Sequence, residues 1–82
     1  MRYRSGDEVF ENDEVLLWGN PARVEFIVLD GASSEHRYYF DKFGRGVMFC
    51  GEKVGNYYCD EEALPNEEDI VFVRRSAPQR KQ

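Results

Sequence analysis

Apolar residues along the chain fall mostly into short runs with strand-like spacing. Val15-Leu16-Leu17-Trp18 is one such run, and it ends at Gly19-Asn20-Pro21. That is a strong turn signal, because Gly tolerates positive φ and Pro presets the backbone. Ala22 to Leu29 follows as the clearest strand. Ala22, Val24, Phe26 and Val28 fall on one face, Arg23 and Glu25 on the other, with Ile27 and Leu29 joining the second set at the far end. Period two is what a half-buried strand requires, so the two runs and their turn predict a β-hairpin. Upstream, Val9 and Phe10 sit between polar turn formers and fit a short strand or an extended arm.

The period then changes. Asp30 to Ser34 reads as a loop, and after it His36, Tyr39, Phe40 and Phe43 stand at i, i+3, i+4, i+7. A helix over 35–43 would present them as one apolar stripe. Ser33 or Ser34 can cap its start, and Gly44 can supply the left-handed residue at its end. Tyr38 and Phe40 also fit a strand, since aromatics favour strands; the helix is the reading adopted. A helix this short is unstable alone, so its stripe must pack on a sheet.

Val47-Met48-Phe49-Cys50 is the next strand, Gly51 to Asn56 turns the chain, and Tyr57-Tyr58-Cys59 returns as a second hairpin. Asp60 to Pro65 reads as one tight helical turn stopped by proline. Ile70-Val71-Phe72-Val73 closes the pattern; it is wholly apolar, as expected of a strand covered on both faces. The fold class is therefore mainly β. The expected architecture is a small, partly open barrel of about five strands, with one short helix and a helical turn before the last strand. Residues 1–75 form the single domain and 76–82 a flexible basic tail.

Asp13-Glu14-Val15 followed by Gly19-Asn20-Pro21-Ala22-Arg23-Val24 resembles the Asp-x-Val, Gly-x-x-Ala-x-Val pattern of SH3-like barrels, including the ribosomal KOW type. The resemblance covers about residues 13–28, and the tight turn before the closing strand is similar too. It implies an SH3-like barrel. KOW-type modules that bind RNA carry basic loops, whereas the corresponding loops here are acidic.

Composition sharpens this picture. Six Phe, five Tyr and Trp18 in 82 residues give a short chain enough bulk for a core, despite 33% charged residues. Such a chain buries only about 60% of its unfolded surface, which leaves little stability to spare for a deep catalytic cavity. The net charge of −5 is unevenly spread. Residues 74–82 hold Arg74, Arg75, Arg80 and Lys81 and no acid, so residues 1–73 carry seven bases against sixteen acids, a net of −9. An acidic body repels a phosphate backbone and attracts a basic protein. No stretch approaches the roughly 20 apolar residues of a membrane span. No apolar run follows Arg2 and Arg4, so a cytoplasmic protein is expected. Two cysteines are too few for a secreted disulfide scaffold.

The candidate chemistry is sparse. Cys50, Cys59, His36 and Asp60 are the conceivable metal ligands, but the cysteines lie nine apart and lack the Cys-x-x-Cys knuckle that structural zinc prefers; no metal and no cofactor is expected. A turn centred between Val54 and Gly55 would set Cys50 opposite Cys59, and a turn one residue earlier would set them on a diagonal. Only the first register permits a disulfide. No orienting group or oxyanion hole stands at motif spacing from a Cys–His pair, and Gly44-Arg45-Gly46 is too short for a nucleotide loop. The chain is therefore expected not to be an enzyme.

Adjacent strand residues point to opposite faces, so one of Tyr57 and Tyr58 must face away from the core. Exposed Tyr and Trp are enriched at binding hot spots. The expected function is a non-catalytic protein-binding module whose surface combines Trp18, Tyr39, Tyr58, Asp60, Glu61 and Glu62. Its partner would be a basic protein, and an inhibitor or immunity-type protein is one concrete version. The alternative is a nucleic-acid-associated small barrel using the basic tail and aromatic strands, RNA-binding or ribosome-associated, which the acidic body disfavours. Exposed strand edges leave the chain a monomer or a weak homodimer.

Overall fold

The computed structural model describes residues 1–31 and 33–75; the expected basic tail lies outside them. Five antiparallel strands form one open sheet: β1 (Glu14–Leu17), β2 (Asn20–Val28), β3 (Gly46–Gly51), β4 (Gly55–Asp60) and β5 (Ile70–Arg74). Their order is β4-β3-β2-β1-β5, so the last strand returns beside the first. A single helix, α1 (Arg37–Phe43), links β2 to β3, and a 3-10 turn (Leu64–Asn66) precedes β5. This is the mainly β, unclosed arrangement of five strands, with one helix and a helical turn before the last strand, expected from the hairpin pattern. Side chains from all five strands meet in one core: Val15 and Leu17 on β1, Val24 on β2, Val47 and Phe49 on β3, Cys59 on β4 and Ile70 on β5. Leu64, fully buried at the start of the 3-10 turn, joins them.

Local geometry differs from the sequence pattern in four places. First, the turn between β1 and β2 is tighter than Gly19-Asn20-Pro21. Leu17 pairs directly with Asn20, and the two turn residues, Trp18 and Gly19, have φ of 50° and 81°. Positive φ at both positions is the type I′ signature, whose twist suits a two-residue hairpin. Second, β2 does not keep one face. Its register with β3 shifts between Val24 and Phe26, so that Val24 faces Phe49 and Phe26 faces Met48. The extra residue rotates the strand. Ala22, Val24 and Ile27 pack in the core, while Phe26 and Val28 turn to the outer face. Third, β5 is covered on one face only: Val71 and Val73 are about half exposed. Fourth, the serines do not cap α1. His36 occupies the N-cap without a side-chain hydrogen bond. The helix end is as expected, with Gly44 at φ 81° donating its N–H to Phe40 O at 2.8 Å.

The N-terminal segment is more integrated than an arm. Arg2 bridges Glu8, Val9 N–H donates to Met1 O at 3.0 Å, and Tyr3 and Val9 are buried. Tyr3 stacks on Phe72 of β5 with ring centroids 4.9 Å apart. The fastening is Asp13, whose side chain is fully buried. Asp13 Oδ2 accepts the Tyr3 hydroxyl at 2.7 Å and the Phe10 N–H at 2.9 Å. Asp13 Oδ1 accepts Arg75 Nε at 2.9 Å. Arg75 also donates to the Glu8 carbonyl and lies over the Phe10 ring, 4.3 Å from its centre. One carboxylate thus joins the N-terminal segment, the start of β1 and the end of β5. Arg74 pairs with Glu14 at 2.9 Å on the surface, where solvent screens the contact. Both residues that open the basic C-terminal stretch therefore act on the folded body.

Burial opposes the charged form of Asp13, but hydrogen bonds from Arg75, the Phe10 amide and Tyr3 together hold its carboxyl below the usual range. A carboxyl lowered on folding stabilises the native state above its unfolded pKa, about 3.9, and loses that contribution as pH falls through its folded value. Asp13→Ala should cost about 3 kcal/mol at neutral pH, because the Tyr3 hydroxyl and Phe10 N–H lose a buried acceptor. Urea unfolding will measure it. The difference between native protein and variant should shrink between pH 4 and pH 2.

Candidate functional site

The outer face of the sheet has a covered half and an open half. Over β2, β3 and β4 the register places Phe26, Met48 and Tyr58 side by side, and α1 lies on them. His36 stacks on Phe26 at 4.1 Å with the rings 9° from parallel. Tyr39 stacks on Tyr58 at 5.3 Å, and Phe43 leans on the same ring at 5.3 Å. Three members of the expected helical stripe, His36, Tyr39 and Phe43, pack on the sheet in this way, His36 from the cap, while Phe40 lines the adjoining groove. Gly46 makes room for this layer: a Cβ there would come within 2.8 Å of the Tyr58 ring and 2.5 Å of Cys59 O. The Tyr58 hydroxyl donates to Gly44 O at 2.8 Å, so this side chain also ties the helix end to the sheet. Burial, then the charges of Asp60 and Cys59, push its pKa up to about 12.

Beside this layer lies an open groove of about 440 Å³ between Phe40 and Phe43 on one side and the Asp60–Glu62 segment on the other. Its lining carries Asp30, Asp60, Glu61 and Glu62 against the single base Arg45. Arg45 donates from Nη2 to Glu61 Oε2 at 3.3 Å, and its Nη1 lies 3.6 Å from Asp30. Its Nε is 3.0 Å from Glu61 Oε1 but not aligned for a hydrogen bond, so that contact is purely ionic. Asp60 has a structural duty: its Oδ1 accepts the Ala63 N–H at 2.9 Å and starts the turn toward Leu64. Glu62 is exposed.

A second groove, of about 490 Å³, crosses the open half of the outer face, where Leu16, Pro21, Cys50 and Val73 line it. Its rim charges, Glu14 and Arg23, are of opposite sign. It therefore has no electrostatic preference, whereas the first groove does.

Of the six residues expected at the surface, the structure brings five to the α1 side: Tyr39, Tyr58, Asp60, Glu61 and Glu62. Trp18 is not among them. It sits at the tip of the first hairpin, about half exposed, with its ring edge-on to Tyr57 at 4.9 Å. A bulky residue at φ 50° stores strain of about 1–3 kcal/mol, and its N–H is held by Asp69 O at 3.0 Å. Sequence reasoning missed Phe43, which is about half exposed at the groove, and Arg45. The first was visible as a member of the helical stripe. The second carried no signal, because its partners Asp30 and Glu61 are far away along the chain.

The cysteines have no joint chemistry. Cys50 pairs with Asn56 and Cys59 with Val47, because the turn is centred on Lys53; neither anticipated register occurs. The two side chains point to opposite faces, and both thiols are free. Burial, then Glu67 and Asp60, push the Cys59 thiol up to about 12, so it is protonated at neutral pH and a poor nucleophile. Among the described residues no group of three His, Cys, Asp or Glu is placed to hold a metal ion, and no helix is long and apolar enough to cross a membrane. No protein-family model, curated protein or solved structure matches the chain.

Cys50 is half-buried and Cys59 buried. Thiol titration of the native protein at pH 8 should therefore modify Cys50 alone, and Cys59 only after denaturant is added; mass spectrometry of the labelled peptides will assign them.

Proposed function

We propose that this protein is a non-catalytic protein-binding module that takes a basic partner on its acidic, aromatic-bearing α1 side. The observation that carries this reading is the groove beside α1, where Phe40 and Phe43 supply apolar surface and four carboxylates face one guanidinium. Arg45 is already engaged by Glu61 and Asp30, so among the described residues lining the groove no further base offsets the surplus acid. A Lys or Arg side chain entering the groove would replace bulk water around Asp60 and Glu62 with an opposite charge. The half-exposed Phe43 and Tyr38 rings would supply the apolar contact. Lys42 lies 5.7 Å from the Tyr38 ring centre, within the range of a cation–π contact. An inhibitor or immunity-type role against a basic toxin or nuclease is the version in which this charge complementarity is used most directly.

Binding of a basic partner should weaken with salt, because exposed charges are screened beyond about 8 Å at physiological ionic strength. Affinity capture with the immobilised chain at 50 and 500 mM salt tests this, and Glu62→Lys combined with Phe43→Ser should reduce specific capture at least tenfold. Capture insensitive to both salt and the double substitution defeats the reading, as does tight binding of RNA or DNA in a low-salt gel shift.

A further inference from the structure

The two edges of the open sheet are not equivalent. β5 is guarded. The Tyr3 ring covers Phe72, Arg4 reaches Glu68 at 3.6 Å across its flank, and its register with β1 is broken between Glu14 and Val15. These are devices by which proteins blunt an edge. β4 carries rings on its side chains, Trp18 on Tyr57 and Tyr39 on Tyr58, but no break in its register. Its six residues pair with β3 without a register shift, and Gly-Asn-Tyr-Tyr-Cys-Asp contains no Lys and no Pro. The hydrogen-bonding parity fixes which groups it presents. Glu61 N–H donates to Arg45 O at 2.8 Å, and the narrow pairs of an antiparallel ladder alternate. Cys59 and Tyr57 therefore bond to β3, and the N–H and C=O of Asn56 and Tyr58 point outward. Among the described residues no hydrogen bond reaches these outward groups.

We propose that β4 is a docking edge that accepts an extended, Lys- or Arg-bearing peptide segment as an added antiparallel or parallel strand, paired through the backbone of Asn56 and Tyr58. The proposal rests on the basic-partner reading and specifies its mode. Main-chain bonds would hold the segment, and side-chain alternation would sort its residues. Successive residues would meet the Tyr57–Trp18 corner on one side and the Tyr58–Tyr39 stack on the other. Charge selects the occupant. Residues 54–73 contain six acids and no Lys or Arg, and Glu67, Asp60 and Asp69 are all close enough to oppose ionisation of Tyr57. A second copy of this chain fits worse, because pairing β4 with itself would join two bodies of net charge −5 with no base in that region to offset them.

The test uses two synthetic octapeptides of alternating Lys and Val with blocked ends, one of them N-methylated at its four central amides, which removes donors from both edges and leaves the charge unchanged. The full-length, 15N-labelled chain is titrated with each at low salt, and affinity and amide hydrogen exchange are read. The unmodified peptide should slow exchange at Asn56 and Tyr58 at least tenfold, and N-methylation should weaken binding at least tenfold. Equal, salt-sensitive binding of both peptides overturns the edge mode and leaves the basic-partner reading standing. Absence of binding by the unmodified and the N-methylated peptide alike overturns both readings. Protection of Asn56 and Tyr58 that rises with protein concentration in the absence of peptide assigns the edge to a second copy and overturns the proposal.

Discussion

The fold depends on how Asp13 is satisfied. Two ends of the open five-stranded sheet, the segment before β1 and Arg75 just after β5, lie outside its ladders. Asp13 accepts hydrogen bonds from both, through Tyr3 and Phe10 on one side and Arg75 on the other. A fully buried carboxylate is costly unless several donors replace its hydration. Here the donors are the elements that must be brought together. The same residue uses its backbone to join β2, accepting Val24 N–H at 3.0 Å. Loss of any donor therefore weakens more than one junction.

A second constraint shapes the outer surface. The bulge in β2 rotates Phe26 and Val28 out of the core and onto the face that α1 covers. Without it, strict alternation would turn Phe26 toward the core and leave Glu25 and Ile27 on the outer face in its place. The consequence is a chain with two apolar layers at small size. The inner one is built on Phe49 and Leu17, and the outer one on stacked rings of Phe26, His36, Tyr39 and Tyr58. Placing α1 over one half leaves the other half bare and brings Phe40 and Phe43 alongside the Asp60–Glu62 segment. The acidic groove is thus a product of the bulge and the helix position together.

This arrangement is the basis for proposing a binding role. Three groups with intrinsic reactivity are put to structural use. His36 is stacked flat on a ring, Cys59 is buried among core residues with its thiol held protonated, and Tyr58 bonds to a backbone carbonyl. The groups left facing solvent are carboxylates, half-exposed aromatic rings and one unguarded backbone edge. In the proposed reading, such groups hold a basic partner.

Much of this was legible in the chain. Strand periods around residues 15–29 and 47–59, the i, i+3, i+4, i+7 stripe of α1, the glycine that ends it and the proline turn before β5 are local signals, set by backbone sterics and side-chain direction within a few residues. So is the acid excess, which needs only counting. The features that only the tertiary structure decided are all long-range. The face of Phe26 depended on a register shift against β3, which leaves no mark on β2 itself. The separation of Trp18 from Tyr39 depended on which side of the sheet the helix chose. Asp13 looked like one polar residue among many until Tyr3 and Arg75, ten positions before it and sixty-two after, arrived as its donors. Local preference is written in neighbouring residues; the satisfaction of a buried charge and the register of a ladder are settled only when distant segments meet.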